Sequence, residues 1–204
     1  MTDDFLRPDA LFDLSDAATA AFFDGCEYVW EALAQIKRHA ARLTAEGRRI
    51  DGTVMDGAWL GDAAIVIEAG AVVEPGAYLI GPAYIGAGAV VRHGAYVREN
   101  VILLAGSALG HASEAKNALF LPCAAAPHFA YVGDSILGHR VNLGAGTKLS
   151  NLGILSAKDA ATGKRPTIRL VIEDREYDTG LTKFGAILGD DTQTGCNAVL
   201  NPGC

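Results

Sequence analysis

The sequence predicts a mainly β protein built as a solenoid of short stacked coils, with helices before it and one inserted hairpin. Three observations lead to this prediction: an aliphatic residue at every sixth position, a small residue four positions after it, and two segments without this period. A unit of six residues cannot bury its apolar side chain alone, so successive coils must stack into a continuous core. We therefore expect a solenoid over residues 51–204, after a helical segment at 1–50.

The six-residue period is clearest between residues 67 and 113. The aliphatic column consists of Ile67, Val73, Leu79, Ile85, Val91, Val97, Leu103 and Leu109. The second column, mostly small residues, consists of Ala71, Ala77, Ala83, Ala89, Ala95, Val101, Ser107 and Ser113. The period returns at Leu137, Leu143 and Leu149, and again at Leu188, Thr194 and Leu200. An irregular sandwich of short strands is the alternative, and a fixed period of six argues against it.

The N-terminal segment lacks the period and is predicted to be helical. Apolar residues recur there at helical spacing, at Val29, Leu33, Ile36, Ala40 and Leu43. We expect Gly47 to end this helix and Gly25 to separate it from an earlier one. These helices are predicted to cap the open end of the solenoid.

The second break in the period, residues 152–182, is predicted to be an inserted β-hairpin that protrudes as an arm. Its stretch "TIRLVIEDREYDTG" alternates apolar residues at Ile168, Leu170 and Ile172, and then turns through charged residues. This alternation is typical of strands and distinguishes the segment from the coils on either side.

Composition and charge exclude several classes of partner. A formal net charge of −7 argues against general nucleic-acid binding, which requires a basic face, so an anionic ligand must be held by a few local Arg and Lys residues. The acidic start lacks the basic and apolar regions of a signal peptide, so none is expected, and no apolar run is long enough to span a membrane. The cysteines show no paired spacing, at Cys26, Cys123, Cys196 and Cys204. We therefore expect a cytoplasmic protein with reduced thiols and no membrane partner.

A dense set of polar residues lies in "KNALFLPCAAAPHFAYVGDSILGHRVNLGAGTKLSN", residues 116–151. Together with the repeat, this stretch resembles the hexapeptide-repeat acyltransferases. It is similar to the acetyltransferase domain of bacterial bifunctional N-acetylglucosamine-1-phosphate uridylyltransferase/glucosamine-1-phosphate acetyltransferases, and closer still to archaeal sugar-1-phosphate nucleotidylyltransferases. In that family a Lys, a His twelve residues later, the HxxY, GD and NxGAGT motifs and a further Asn line the acetyl-transfer site.

The resemblance covers roughly residues 54–204 and implies a left-handed parallel β-helix. Three hexads make one triangular coil in that fold, so residues eighteen apart are expected on the same face of neighbouring coils, one strand spacing of ~4.8 Å apart. The nucleotidylyltransferase half of the bifunctional relatives is not expected here, because the first 50 residues hold no Gly-rich nucleotide loop.

The resemblance also implies roles for individual residues. His128 and Asn151 are expected to be catalytic. The expected substrate-binding residues are Arg98, Lys116, Tyr131, Asn142 and Lys183, and the expected cofactor-binding residues are Ala145 and Cys196. Arg92 is the alternative to Arg98, but it lies 24 residues before Lys116 and is expected on another face.

These residue types suit acetyl transfer to an amine. The amine must lose a proton before it attacks a thioester, and His128 can accept that proton. We expect His128 in a loop outside the buried column, because the period slips between Leu121 and Tyr131. Backbone N–H groups of the turn at 144–146 can stabilise the oxyanion, and Arg and Lys match the charge of a sugar phosphate. The resemblance implies acetyl-CoA as co-substrate, an acceptor of the glucosamine-1-phosphate type, a link to UDP-N-acetylglucosamine synthesis, and a homotrimer with sites between subunits, which the predicted arm could cross.

Two other classes of function remain open from the sequence. His93 and His111 are eighteen residues apart and could stack to bind a metal, as in hexapeptide-repeat carbonic anhydrases. Zinc needs a third protein ligand, and no His pair has the spacing of that family, so no metal site is predicted. The other class is a non-catalytic solenoid that serves as an assembly subunit, in which His128 would be an ordinary surface histidine.

Overall fold

The computed structural model describes residues 4–153 and 157–204, so residues 154–156 of the predicted insertion lie outside the described residues. The chain begins with a short 3-10 turn, Asp4–Leu6, and the helices α1 (Pro8–Leu11), α2 (Ala17–Ala20) and α3 (Glu31–Leu43). The strands are β1 (Arg49–Ile50), β2 (Thr53–Val54), β3 (Trp59–Leu60), β4 (Ile65–Ile67), β5 (Val72–Val73), β6 (Tyr78–Leu79), β7 (Ala83–Ile85), β8 (Val90–Val91), β9 (Tyr96–Val97), β10 (Val101–Leu103), β11 (Ala108–His111), β12 (Glu114–Phe120), β13 (Ala125–His128), β14 (Tyr131–Leu137), β15 (Lys148–Leu149), β16 (Arg169–Ile172), β17 (Arg175–Asp178), β18 (Ile187–Leu188) and β19 (Val199–Leu200). None of the described helices has the length and apolar composition to cross a membrane.

Successive coils pair in parallel and form three faces, as predicted for a left-handed parallel β-helix. The helix face consists of β1, β4, β7, β10, the second halves of β12 and β14, and β18. The back face consists of β2, β5, β8, β11 and β13. The tyrosine face consists of β3, β6, β9, the first halves of β12 and β14, β15 and β19. Each coil runs from the helix face to the back face and then to the tyrosine face.

The predicted columns fill the interior of the solenoid. Ile67 and Ala71 in an early coil, and Leu143 and Leu149 in a later one, have no exposed surface. Their outward neighbours on the back and tyrosine faces are partly or fully exposed. The six-residue pattern in the sequence is therefore the pattern of inward positions in the coils.

The coils become one residue shorter from β12 onward, and this change occurs at one corner. Tyr96 lies opposite Glu114, eighteen residues later, whereas Glu114 lies opposite Tyr131, seventeen residues later. The residue is lost where the tyrosine face turns into the helix face. There, Lys116 and Asn117 alone make a turn that takes three residues in the preceding coil. β12 and β14 consequently run around this corner without a break.

Helix α3 packs along the side of the solenoid and does not close its end, so the predicted cap is wrong. The apolar stripe of the helix, which includes Leu33 and Ile36, contacts the outward-facing Ile102, Leu119 and Ile136 of the helix face. Outward positions on a solenoid normally face water, so fully buried aliphatic residues there require a cover. Burying each such side chain contributes about 1.5–3 kcal/mol, which explains why the helix lies on this face.

The inserted hairpin is present, but it does not protrude freely as predicted. β16 and β17 pair in the antiparallel direction, and Leu170 is buried in the same cluster as helix α3. Tyr177 makes edge contacts with Tyr28 and Trp30, with ring centroids 5.9 and 5.8 Å apart. The hairpin therefore packs on the helical segment of its own chain.

His39 gives this helical segment a predicted dependence on pH. Its imidazole is buried against Phe22, and neither ring nitrogen finds a hydrogen-bond partner among the described residues. Burial, with the nearby Arg42 and Arg38, lowers the pKa of His39. The folded state therefore binds this proton less well than the unfolded state, and we expect stability to fall as pH drops below the unfolded pKa of about 6.5.

His39→Leu should remove this loss, because leucine takes up no proton. It should also raise the melting temperature, most of all at acid pH, because an unsatisfied buried imidazole costs about 1–3 kcal/mol. Thermal unfolding of wild type and variant between neutral and mildly acid pH measures both effects. Parallel stability–pH curves for the two proteins would contradict the prediction.

Candidate functional site

The lysine corner is the turn from the tyrosine face to the helix face, formed in successive coils by residues 98–100, 116–117, 133–134 and 150–151. It brings together five of the predicted site residues, namely Arg98, Lys116, Tyr131, Asn151 and Lys183. Lys183 arrives from the far end of the insertion, where the Phe184 N–H donates to the Asn151 carbonyl at 3.1 Å. Residues far apart in sequence therefore meet at one corner.

The basic residues of this corner crowd one another. Lys116 lowers the pKa of Lys183, because two ammonium groups share one small region, and the burial of Lys183 adds to the effect. Arg98 lowers that pKa further, while Asp134 opposes the shift. Such a concentration of positive charge favours binding of an anion.

Acidic residues occupy the same corner, and the sequence analysis missed them. Arg98 contacts the Glu114 carboxylate at 3.0 Å and that of Glu99 at 3.7 Å, and the Lys116 ammonium lies 3.6 Å from Glu99. An incoming anion must therefore displace carboxylates from these cations. Glu99 follows Arg98 directly, so the eighteen-residue register with Lys116 could have indicated this pairing.

Tyr131 and Asn151 converge over a glycine. A Cβ atom at Gly133 would lie 2.6 Å from the Tyr131 hydroxyl and 2.8 Å from Asn151 Nδ2, which is too close for any side chain. Burial raises the pKa of the Tyr131 phenol, and Glu114 and Asp134 add to the shift. The hydroxyl therefore keeps its proton and can both donate and accept hydrogen bonds.

The histidine corner is the turn from the back face to the tyrosine face, and it carries His93, His111 and His128 in successive coils. We predicted that His128 lies in a loop where the period slips; this is wrong, because it is the last residue of β13 and lies opposite His111. The slip occurs instead at Lys116 and Asn117. His128 is nevertheless exposed, as expected for a residue outside the core.

Ala145 and Cys196 continue the histidine corner in the following coils. The Gly146 N–H donates to the His128 carbonyl at 2.9 Å, and the Asn197 N–H donates to the Ala145 carbonyl at 2.7 Å. The Gly144 N–H donates to Thr194 Oγ1 at 3.0 Å. Among the described residues, the Ala145 N–H is thus the one amide of the 144–146 turn that finds no hydrogen-bond acceptor.

Asn142 does not join either corner. It is exposed on the back face, where it bridges Ala125 and Gln193. Within one chain, Asn142 therefore does not join the other predicted substrate-binding residues at the lysine corner. Arg92 comes directly before His93 at the histidine corner, so Arg98 is the arginine that the fold places beside Lys116.

His93 and His111 stack as their spacing predicts, with ring centroids 5.5 Å apart and an interplanar angle of 8°. Each ring contacts a backbone carbonyl of the coil before it, His93 Nδ1 that of Pro75 at 2.7 Å and His111 Nδ1 that of His93 at 3.1 Å. In the described part of the chain, no third His, Cys, Asp or Glu joins them in a group able to hold a metal ion. The arrangement is a ladder that links coils.

The period, the parallel coils and the corners define a hexapeptide-repeat solenoid of the kind that the sequence resembles. In sequence, the chain is similar to the bifunctional sugar-1-phosphate nucleotidylyltransferase/acetyltransferase of Sulfurisphaera tokodaii, with 31% identity over 139 residues, which are 68% of this chain and 32% of that protein. It is also similar to the bifunctional protein GlmU of Methanococcus aeolicus, with 32% identity over 142 residues, which are 70% of this chain and 32% of the relative.

A third relative, the GlmU protein of Methylibium petroleiphilum, is 35% identical over 134 residues, or 66% of this chain and 23% of that protein. The chain thus spans a third or less of the length of these relatives. Among solved structures, the acetyltransferase domain of PglB from Neisseria gonorrhoeae in complex with acetyl coenzyme A matches 48% of this chain and 45% of that one, with 23% identity and a TM-score of 0.26. No protein-family model matches the chain.

Proposed function

We propose that this protein is an N-acetyltransferase that transfers the acetyl group of acetyl-CoA to the amine of an amino-sugar 1-phosphate, such as glucosamine-1-phosphate. The observation that supports this best is the lysine corner, where Arg98, Lys116 and Lys183 converge with Tyr131 and Asn151. The name of the Sulfurisphaera tokodaii relative, a bifunctional sugar-1-phosphate nucleotidylyltransferase/acetyltransferase, agrees with this substrate class.

In the proposed reaction, the cations of the lysine corner hold the phosphate, and Tyr131 hydrogen-bonds the sugar. The amine attacks the carbonyl carbon of the thioester and gives its proton to the His128 imidazole. The carbonyl oxygen becomes an oxyanion, which the Ala145 N–H can stabilise. The new C–N bond remains, the C–S bond breaks, and the coenzyme A thiolate leaves and takes up a proton.

Within one chain, His128 and the lysine corner lie on opposite edges of the tyrosine face. A ring of three copies with this face turned inward would bring the histidine corner of each copy next to the lysine corner of its neighbour. We therefore propose a homotrimer in which each site is shared by two copies. The tyrosine face supports this, because it exposes a ladder of Trp59, Tyr78 and Tyr96, and 69% of Trp59 is accessible in one chain.

The activity is tested by acetyl-CoA-dependent thiol release with the purified full chain. Glucosamine-1-phosphate and galactosamine-1-phosphate are the first acceptors, and glucosamine without phosphate is the control for the role of the lysine corner. We expect turnover that depends on the phosphate. A well-folded protein that turns over none of these acceptors would favour a non-catalytic assembly subunit.

Tyr78→Glu should convert the trimer to a monomer, because the substitution places a charge at the centre of the aromatic ladder. Tyr78 stacks on Tyr96 with ring centroids 5.7 Å apart. Val171→Glu is the matched control, since Val171 is 74% exposed but lies on the hairpin, away from this face. Light scattering at micromolar concentration reports the result. Trimers that persist in Tyr78→Glu, or a monomeric wild type, would refute the arrangement.

A further inference from the structure

Asp134 is a nearly buried carboxylate at the lysine corner for which the proposed reaction has no direct use. Its side chain accepts a hydrogen bond from Asn117 Nδ2 at 3.0 Å on one oxygen and another from Asn151 Nδ2 on the other. Asp134 is 7% exposed and Asn151 is 9% exposed. A buried carboxylate with both oxygens engaged by amides has a defined orientation and imposes one on its partners.

The geometry of the corner explains why a carboxylate is needed there. Asn100, Asn117 and Asp134 occupy equivalent positions in three successive coils, and all have positive φ, of 59°, 45° and 47°. Asparagine adopts this backbone conformation as readily as aspartate, so the turn alone does not require an acid. An asparagine at 134 would offer one acceptor oxygen to two amide donors, whereas a carboxylate serves both.

The consequence for Asn151 is a fixed amide. Its Nδ2 group is held by Asp134 and lies close to the position where a Gly133 Cβ would be. The amide therefore cannot exchange its oxygen and nitrogen by flipping without placing its oxygen against a carboxylate. That is a repulsive contact in a buried place.

We propose that Asp134 is a positioning residue, which clamps the Asn151 amide in one orientation beside Tyr131 and so acts on the reaction through Asn151. This inference rests on the proposed function for its catalytic consequence, but the clamp itself is independent of turnover. In this arrangement the effect of Asp134 passes through its hydrogen bond with Asn151.

Asp134→Gly is the decisive variant, because glycine keeps the positive φ and removes both acceptor oxygens. Cys123→Gly is the matched control, because Cys123 also has a positive φ, of 63°, and is exposed at a different corner, between β12 and β13. We expect kcat to fall by about ten- to a hundredfold in Asp134→Gly, with little change in the KM of acetyl-CoA, and no such effect in Cys123→Gly. Asp134→Asn, which keeps one acceptor, should lie between wild type and Asp134→Gly.

A double-mutant cycle separates positioning from a role in the fold. If Asp134 acts through Asn151, the Asp134→Gly/Asn151→Ala protein should be no slower than Asn151→Ala alone. Losses that multiply would overturn the proposal.

A second readout does not require activity. In protein with isotope-labelled asparagine, the Asn151 side-chain amide protons should exchange with water roughly tenfold faster in Asp134→Gly than in wild type or Cys123→Gly. Unchanged exchange would also overturn the proposal. If the wild type turned over no amino-sugar phosphate, only the proposed function would fail, and the exchange measurement would still decide the clamp.

Discussion

His128→Ala is expected to lower kcat by ~10²–10⁴, because general-base assistance contributes on that scale. His128 ends a regular strand and is exposed, so removing its side chain leaves the core of the solenoid untouched. The variant should therefore keep its oligomeric state and melting temperature. Steady-state kinetics with acetyl-CoA and the best amino-sugar phosphate measures the effect.

His111→Ala is the matched control for this prediction. His111 lies directly opposite His128 at the same corner, one coil earlier. We expect its loss to change kcat little, because the ladder contact to the His93 carbonyl serves the fold. Equal losses of kcat in both variants would contradict the assignment of His128.

The architecture could be predicted from the sequence because the inward positions of a solenoid recur with a fixed period. Aliphatic residues recur every six positions from Ile67 to Leu109, and the structure buries them in one core cluster. The outward positions show no such period, so the sequence indicates less about them. The position of helix α3 depended on outward residues such as Ile102 and Leu119, which belong to short apolar runs and can be assigned to a face only once the register is known.

The same limit applies to the site. The resemblance pointed to basic residues such as Lys116, which the fold then gathered at one corner. It gave no indication of Glu114, whose pairing with Arg98 depends on which side chains of neighbouring coils point outward. The shortened turn at Lys116 and Asn117 could not be predicted either, because a coil of seventeen residues preserves most of the hexad pattern. The slip of the period therefore lies at the lysine corner and not, as the sequence predicted, near His128.

Lys116→Ala is expected to raise the KM for the amino-sugar phosphate by about ten- to a hundredfold, and that for acetyl-CoA much less, because one charge-assisted contact is worth ~1.5–3 kcal/mol. Lys116 should matter more than Arg98, because its contact with Glu99, at 3.6 Å, is longer than the contact of Arg98 with Glu114, at 3.0 Å. The Lys116 side chain is also the more buried, at 15% exposure against 33%. Lys37→Ala, on the exposed side of helix α3, controls for a general change in net charge. Equal effects on both substrates would show that Lys116 serves the fold.

Mixed trimers then test whether Lys116 acts on the same reaction as His128 from a neighbouring copy. Co-expression of Lys116→Ala and His128→Ala chains in equal amounts creates some subunit interfaces at which an intact histidine corner meets an intact lysine corner. In a randomly assembled ring, the chain that supplies the histidine corner has an intact His128 in about half of the interfaces, and its neighbour has an intact Lys116 in about half. About a quarter of wild-type activity should therefore return. Sites contained within single chains would return none, because every chain would lack one of the two groups. Activity in the mixture above that of either parent therefore identifies the shared site, and its absence limits the proposal to one chain.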